Sequence, residues 1–131
     1  MNELELLEKA NEAKEYAYVP YSKFRVGAAV LTEDEKVFTG CNIECASFGG
    51  TNCAERTALF KAISEGYRSF KAIAVLSDNE EYTFPCGICR QVIVEFGKDI
   101  KIIVGTPSGK IKIFPITELL PHSFTNEDLE K

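Results

Sequence analysis

Two cysteine-containing segments constrain this chain more than any other feature of its sequence. They are residues 51–58 (TNCAERTA) and residues 85–91 (PCGICRQ). Each segment has the pattern of the first turns of a helix, with cysteine near its start. The stretch between them has room for a helix, a strand and a return loop, so the fold can bring the two helix starts together.

The three cysteines of these segments suit a zinc site. Zn²⁺ prefers tetrahedral coordination, and a hydrolytic zinc keeps three protein ligands and leaves the fourth position to water. Cys86 and Cys89 lie three positions apart, where both thiols can reach one ion, and Cys53 arrives from the other helix. Helix starts also favour thiolate over thiol, because the free N–H groups there and the N-terminal end of the helix dipole carry partial positive charge. We therefore predict that Cys53, Cys86 and Cys89 bind zinc.

Two charged residues beside Cys53 extend this hypothesis. Glu55 is too close to Cys53 along the chain to bind the same ion comfortably. We expect it to lean over the open coordination position, where it can move protons between water and substrate. Arg56 can donate hydrogen bonds to the sulfurs and offset the net negative charge that three thiolates leave on one Zn²⁺.

Other interpretations of the same residues remain open. The spacing Asn52-x-x-Glu55 also matches a capping box, in which Glu55 would only stabilise the helix start. A Cys-x-x-Cys pair also occurs in redox sites and in structural zinc sites, and the latter would suit a non-enzymatic zinc-stabilised binding module. A structural zinc needs a fourth protein ligand, for which the chain offers Cys41, Cys45 and His122.

The composition suits one domain over residues 1–131. Hydrophobic residues make up 45% of the chain and charged residues 27%, which is ordinary for a globular protein. No apolar run approaches the roughly 20 residues of a membrane span, and the N-terminus lacks the basic start and apolar centre of a secretory signal. We expect a cytoplasmic protein with no membrane partner, whose five cysteines stay reduced.

The formal net charge of −5 bears on the kind of ligand. Proteins whose affinity depends on neutralising phosphates carry a basic face. An acidic chain fits a small, weakly charged substrate better, so we expect no nucleic-acid partner.

Hydrophobic periodicity divides the chain into helices and strands. Helices are predicted over residues 3–18, 85–96 and 116–120, with Pro85 as an opening helical residue. A further helix is predicted between a cap at Thr51 or Asn52 and Gly66. Strands are predicted over 24–31, 36–43, 71–76, 100–104 and 111–114, the first two as an antiparallel hairpin. This order indicates an α/β fold, a three-layer α/β/α sandwich with a mixed five-stranded sheet.

Residues 53–55 (CAE) and 85–89 (PCGIC) together resemble the three-cysteine form of the zinc deaminase signature, in which a non-ligand Glu acts as acid and base. Further segments match at residues 20–24 (PYSKF), 26–29 (VGAA), 40–44 (GCNIE) and 119–121 (LLP). Over nearly its whole length the chain is similar to small, homotetrameric cytidine deaminases of the bacterial type. This resemblance implies their fold and the zinc-dependent deamination of cytidine and 2′-deoxycytidine to uridine and 2′-deoxyuridine, with release of ammonia.

The resemblance also implies which residues contact the substrate. Asn42 and Glu44 match residues that hold the ribose hydroxyls, and Phe24 matches an aromatic residue that packs on the base. Ala54 matches a substrate-binding position. Phe124 matches an aromatic residue that completes a neighbouring subunit's pocket, so the family implies a homotetramer with pockets shared between subunits.

Two positions depart from the family pattern. Cys45 stands where the family usually has Asn, and Phe48 stands where it usually has Tyr. Loss of an amide and a hydroxyl removes hydrogen bonds worth about 1 kcal/mol each, so we expect an effect on affinity rather than on reaction type. Deamination of a nucleoside antibiotic, or of a base in nucleic acid, is an alternative, while the acidic charge and the pair Asn42 and Glu44 favour a free nucleoside.

Overall fold

The computed structural model, which describes residues 1–130, contains one five-stranded sheet. Its strands are β1 (Val26–Thr32), β2 (Val37–Cys41), β3 (Phe70–Ser77), β4 (Lys101–Gly105) and β5 (Ile111–Pro115). They lie in the order β2-β1-β3-β4-β5, in which β3 and β4 are parallel and the other neighbours are antiparallel. The prediction of a mixed five-stranded sheet is confirmed.

Helices cover both faces of this sheet. They are α1 (Glu3–Lys14), α2 (Ala54–Ser64), α3 (Gly87–Glu95), α4 (Ile116–Leu119) and α5 (Asn126–Leu129). On one face, α1 buries Leu6, Leu7 and Ala10 against apolar side chains of β1, β3 and β4. On the other face, the apolar sides of α2 and α3 pack against alternate residues of the same strands. The α/β/α sandwich is therefore confirmed.

The central strands are apolar over their whole length because both of their faces are covered. All residues of β1 are buried, and β3 is buried except for Lys71. Strand β5 lies at an edge and is largely exposed. Within residues 1–130, none of the helices combines the length and apolar character that a membrane crossing needs.

Two glycines in the hairpin let helices approach the sheet closely. A Cβ atom at Gly27 would lie 2.0 Å from the Ala10 carbonyl oxygen on α1, and one at Gly40 would lie 2.5 Å from the Ala58 nitrogen on α2. Real Cβ atoms do not approach backbone atoms this closely, so larger residues would push the helices away. Gly40 thus fixes the position of α2, whose start carries Cys53.

One end of the sheet collects the segments that hold the candidate site. Gly27 at the start of β1 pairs with Cys41 at the end of β2, and Val26 pairs with Ser77 at the end of β3. The chain enters β1 here, leaves β2 towards α2, and leaves β3 towards α3. Both cysteine-bearing helix starts therefore lie beyond the same sheet end, close to Phe24.

The first helix is shorter than predicted. It ends at Lys14, and not near residue 18, because the backbone of Tyr18 pairs with another segment. The Tyr18 N–H donates to the Asn42 carbonyl at 3.0 Å, and the Glu44 N–H donates to the Tyr18 carbonyl at 2.9 Å. This long-range pairing outweighs the helical pattern of residues 15–18. The short α5 was not predicted from the sequence.

A partly exposed ion-pair network joins α1 to the start of β1 and the end of β3. The side chain of Lys14 is only 6% exposed, and its Nζ lies 2.9 Å from Asp78 Oδ1. Arg25 donates to both oxygens of the same carboxylate, at 2.8 and 2.9 Å. Arg25 and then Lys14 lower the pKa of Asp78 to about 2.

We predict that Asp78→Asn lowers the free energy of unfolding by about 1 kcal/mol at pH 7, less than the full pKa shift implies because the carboxylate is partly exposed. The folded pKa lies below the usual value of about 3.9. The stabilisation is therefore present above about pH 4 and is lost as pH falls to about 2. Urea unfolding across this range measures it, with the exposed Asp99→Asn as control. A difference between wild type and Asp78→Asn that does not change with pH would contradict the prediction.

Candidate active site

The first turns of α2 and α3 carry the three cysteines, and two of these residues cap their helices. Cys53 is the N-cap of α2 and Cys86 is the N-cap of α3, in both cases without a side-chain capping bond. The predicted cap at Thr51 or Asn52 is therefore wrong, and Pro85 precedes the helix instead of opening it. The Asn52 amide donates to Thr57 Oγ1 at 3.0 Å. The N–H groups of these first turns keep the sulfurs in a positive environment.

The three sulfur atoms converge on one point. The Sγ atoms of Cys53, Cys86 and Cys89 all lie within 4.8 Å of one another, and those of Cys53 and Cys86 are 3.7 Å apart. A tetrahedral site with Zn–S bonds of about 2.3 Å requires sulfurs about 3.8 Å apart. The cysteines therefore fit one zinc ion. The cluster holds no fourth His, Cys, Asp or Glu from residues 1–130, and a closed structural site would need one.

The charges around the sulfurs favour metal binding. A hydrogen bond from the Cys89 thiol, aided by Arg56, lowers the pKa of Cys53 to about 5. The same bond and burial raise the pKa of Cys89, so one thiolate forms first in the metal-free protein. A metal ion replaces the remaining protons when it binds, because thiolates are its ligands.

Arg56 lies beside these sulfurs, as predicted. Its Nη2 donates to Cys53 Sγ at 3.3 Å. Its Nε is a buried donor that has no partner among residues 1–130. A guanidinium with a spare buried donor can offset the negative charge that three thiolates leave on one Zn²⁺.

Glu55 is buried next to the sulfurs. Only 4% of its surface is exposed. Burial raises the pKa of its carboxyl to about 7, and the charge of Cys53 adds to the rise. The capping-box interpretation of Asn52 and Glu55 is wrong, because α2 begins with Cys53 as its cap. A carboxyl with a pKa near neutrality can both take up and release a proton.

A cavity of about 190 Å³ opens beside Glu55, and we call it the cysteine cavity. Its walls are Phe24, Val26, Asn42, Cys53, Ala54, Glu55, Thr83, Phe84 and Cys86. The structure thus brings Phe24, Asn42 and Ala54 together with Glu55, as the sequence analysis expected. Thr83 and Phe84 were not foreseen as wall residues. Their place directly before Pro85 and Cys86 is the only sequence signal that could have indicated them.

The other two expected substrate contacts lie elsewhere. Glu44 lines a neighbouring pocket of about 420 Å³ with Tyr21, Ser22, Phe48 and Thr51, which we call the Glu44 pocket. Asn42 and Glu44 follow the end of β2 instead of lying within it. Phe124 lines neither space. Its side chain is 60% exposed, and its carbonyl accepts a hydrogen bond of 2.6 Å from the Gln91 amide.

The two residues that depart from the family pattern also lie beside the Glu44 pocket. The ring of Phe48 packs edge-to-face against Tyr21, with 6.1 Å between ring centroids. The exposed Cys45 donates its backbone N–H to Thr51 Oγ1 at 3.2 Å. An aromatic contact and a hydroxyl from the chain itself thus brace this loop.

Comparisons with known proteins agree with this geometry. A family model described as the cytidine and deoxycytidylate deaminase zinc-binding region matches residues 1–106. Cytidine deaminases of Halalkalibacterium halodurans and Sporosarcina psychrophila are 54% and 51% identical to the chain. The alignments cover 95% of this chain in both cases, and 95% and 92% of those relatives. The crystal structure of cytidine deaminase from Burkholderia pseudomallei superposes with a TM-score of 0.91 at 47% identity, over 95% of this chain and 100% of that one.

We predict that Ala at position 53, 86 or 89 abolishes retention of zinc, because two thiolates do not supply the three protein ligands of such a site. Ala at position 41 or 45 removes a cysteine outside the cluster and should leave one zinc ion per chain. Elemental analysis of each gel-filtered variant provides the measurement. Full zinc content in Cys89→Ala would contradict the assignment.

Proposed function

Because this chain belongs to the cytidine and deoxycytidylate deaminase family, we propose that it catalyses the zinc-dependent hydrolysis of cytidine and 2′-deoxycytidine to uridine and 2′-deoxyuridine, with release of ammonia. One observation carries the proposal. A buried carboxyl with a pKa near neutrality, Glu55, shares a cavity with two of the three clustered sulfurs. That arrangement supplies a metal ion and a proton carrier at one place.

In the proposed mechanism, Cys53, Cys86 and Cys89 hold the metal, and Glu55 moves the protons. Zinc held by these cysteines would act as a Lewis acid and lower the pKa of the water that attacks C4 of the base. Glu55 accepts a proton from this water and delivers it to N3. Glu55 then carries the remaining proton of this water, from the new C4 hydroxyl, to the amino group, which leaves as ammonia while C4 becomes the carbonyl of the product.

We also propose the substrate contacts that the family implies. Phe24 packs on the base, Ala54 contacts it from the start of α2, and Asn42 and Glu44 hold the ribose hydroxyls. The walls of the two spaces support these contacts. Phe24, Asn42 and Ala54 line the cysteine cavity, and Glu44 lines the Glu44 pocket. The acidic chain favours a free nucleoside over nucleic acid. We place the enzyme in pyrimidine salvage in the cytoplasm, where its thiols stay reduced.

The ultraviolet spectrum of the substrate tests this function directly, because conversion of cytidine to uridine changes its absorbance. A panel of cytidine, 2′-deoxycytidine, cytosine, deoxycytidylate and single-stranded DNA separates the substrate classes. We expect turnover of the two nucleosides by zinc-loaded protein. Zinc-loaded protein that changes none of these spectra would instead support a binding module.

We predict that Glu55→Gln keeps one zinc ion per chain but lowers kcat for cytidine by about 10³-fold, the scale of general acid–base catalysis. The amide is nearly the same size but cannot accept and release the protons. Glu65→Gln, at the exposed far end of the same helix, is the matched control. Turnover of Glu55→Gln within tenfold of wild type would overturn the assignment.

We predict that Arg56→Gln lowers kcat by about tenfold and lowers zinc content much less. Loss of the guanidinium leaves the negative charge of the thiolates uncompensated, so the metal polarises water less strongly. Metal analysis and steady-state kinetics on the same sample separate the two effects. Unchanged kcat would remove Arg56 from the mechanism.

We propose a homotetramer in which Phe124 of one subunit completes the pocket of another. Its exposed ring beside the polar tail supports this role, and the bond from Gln91 fixes its backbone.

We predict that Phe124→Ala raises KM for cytidine by about tenfold, because it removes a large buried aromatic surface from the bound state. Light scattering should give the mass of four chains for wild type, and a monomer would contradict the proposal.

A further inference from the structure

The segment that carries Phe24 is held by side chains of the candidate site. Residues 20–25 connect α1 to β1 without belonging to a helix or strand. Lys23, next to Phe24, has a φ of 61°, which is uncommon for a residue other than glycine. A backbone in this region needs partners that fix it. Ser22, Asn42 and Glu44 provide them.

The Glu44 carboxylate holds the first half of this segment. Its Oε1 accepts hydrogen bonds from the backbone N–H groups of Tyr21 at 3.0 Å and Ser22 at 3.1 Å. Its Oε2 accepts a hydrogen bond from Ser22 Oγ. The pKa of Glu44 is lowered, and the Ser22 hydroxyl is the largest cause. The carboxylate is thus kept ionised and fixed in direction.

Asn42 holds the second half. Its Nδ2 donates to the Phe24 carbonyl at 2.8 Å, and its Oδ1 accepts from the Val26 N–H at 2.9 Å. The Phe24 N–H donates to Ser22 Oγ at 3.1 Å. Side chains therefore hold both backbone polar groups of Phe24.

The Ser22 hydroxyl joins the two halves, because it bonds both to Glu44 and to the Phe24 N–H. A hydroxyl has one proton to donate and lone pairs to accept with. Here the proton is donated to Glu44, which orients a lone pair towards the Phe24 N–H. Loss of this oxygen removes a charge-assisted bond to the carboxylate and leaves the Phe24 N–H without its acceptor.

We propose that Ser22 is a positioning residue that couples sugar recognition to base recognition, because its hydroxyl aligns the Glu44 carboxylate and the Phe24 ring together. The inference rests on the proposed function, in which Glu44 contacts ribose and Phe24 contacts the base. Ser22 itself acts through these two residues. Its hydrogen bonds within residues 1–130 go to Glu44 and Phe24 and not to Glu55 or a cysteine, so we expect it to affect substrate binding and to leave the chemical step unchanged.

The test compares Ser22→Ala, Ser22→Thr and Ser64→Ala. Ser22→Ala should raise KM for cytidine about tenfold, the equivalent of one charge-assisted bond, with kcat within twofold of wild type and zinc unchanged. Ser22→Thr keeps the hydroxyl and should restore KM to within about threefold. Ser64→Ala removes a hydroxyl that donates to the Lys61 carbonyl at the far end of α2 and should match wild type. If Ser22→Ala does not fold, Ser22→Cys, with its weak donor, takes its place.

Two results would overturn the proposal. One is a KM in Ser22→Ala equal to that of wild type. The other is a fall in kcat of more than twofold, because the proposal leaves the chemical step unchanged. A double-mutant cycle with Phe24→Leu adds a measurement that a purely structural role of Ser22 would not change. Coupling requires the KM effect of Ser22→Ala to shrink by at least half in the Phe24→Leu background, and full additivity of the two substitutions contradicts it.

A measurement without substrate separates failure of this inference from failure of the proposed function. Carbon NMR titration of the Glu44 carboxyl should show a higher pKa in Ser22→Ala than in wild type. If wild type deaminates none of the panel, the proposed function fails and this titration still tests the contact. An unchanged Glu44 pKa would refute the positioning role whatever the activity.

Discussion

The convergence of three sulfur atoms at two helix starts is the constraint on which the rest of the structure depends. Thiolates repel one another and are costly to bury, so their gathering needs compensation. The free N–H groups of α2 and α3, the Arg56 guanidinium and a metal ion supply it. The sheet makes the convergence possible, because β2 and β3 end on either side of the start of β1. The chain leaves both strands at this sheet end and continues into α2 and α3.

Close packing of α2 against the sheet fixes the positions of the site residues. Gly40 allows the backbone of α2 to lie directly against β2, which fixes the height of Cys53 and Glu55 above the sheet. Ala54 and Ala58 on the same helix are completely buried. A densely packed interior has low compressibility, so a metal site built on it keeps its geometry.

Local signals in the sequence predicted most of the fold and the chemical centre. The central strands were recognised because their apolar runs reflect burial on both faces, and the zinc site because three cysteines stand at two predicted helix starts. The helix caps were missed because propensity favours Asn52 over Cys53, whereas the structure uses the Asn52 amide to bind Thr57. The end of α1 was missed because the competing partner of Tyr18 lies far along the chain.

The parts that escaped prediction share a physical cause. The cavity walls at Thr83 and Phe84 depend on how separate segments meet, and a sequence pattern does not encode that meeting. The same holds for the bonds that fix Phe24, which link residues 18 and 22 positions apart. The family resemblance implied that Asn42 and Glu44 contact the sugar, and their bonds within the protein became visible only in three dimensions.

The exposure of residues 20–24 and 44–51 has an evolutionary consequence. These stretches carry no core side chains, so their residues can change with little loss of stability. The centre that performs the reaction is anchored in the buried layers and has no such freedom. Substitutions in these stretches can therefore alter the affinity for substrate while the reaction stays constant.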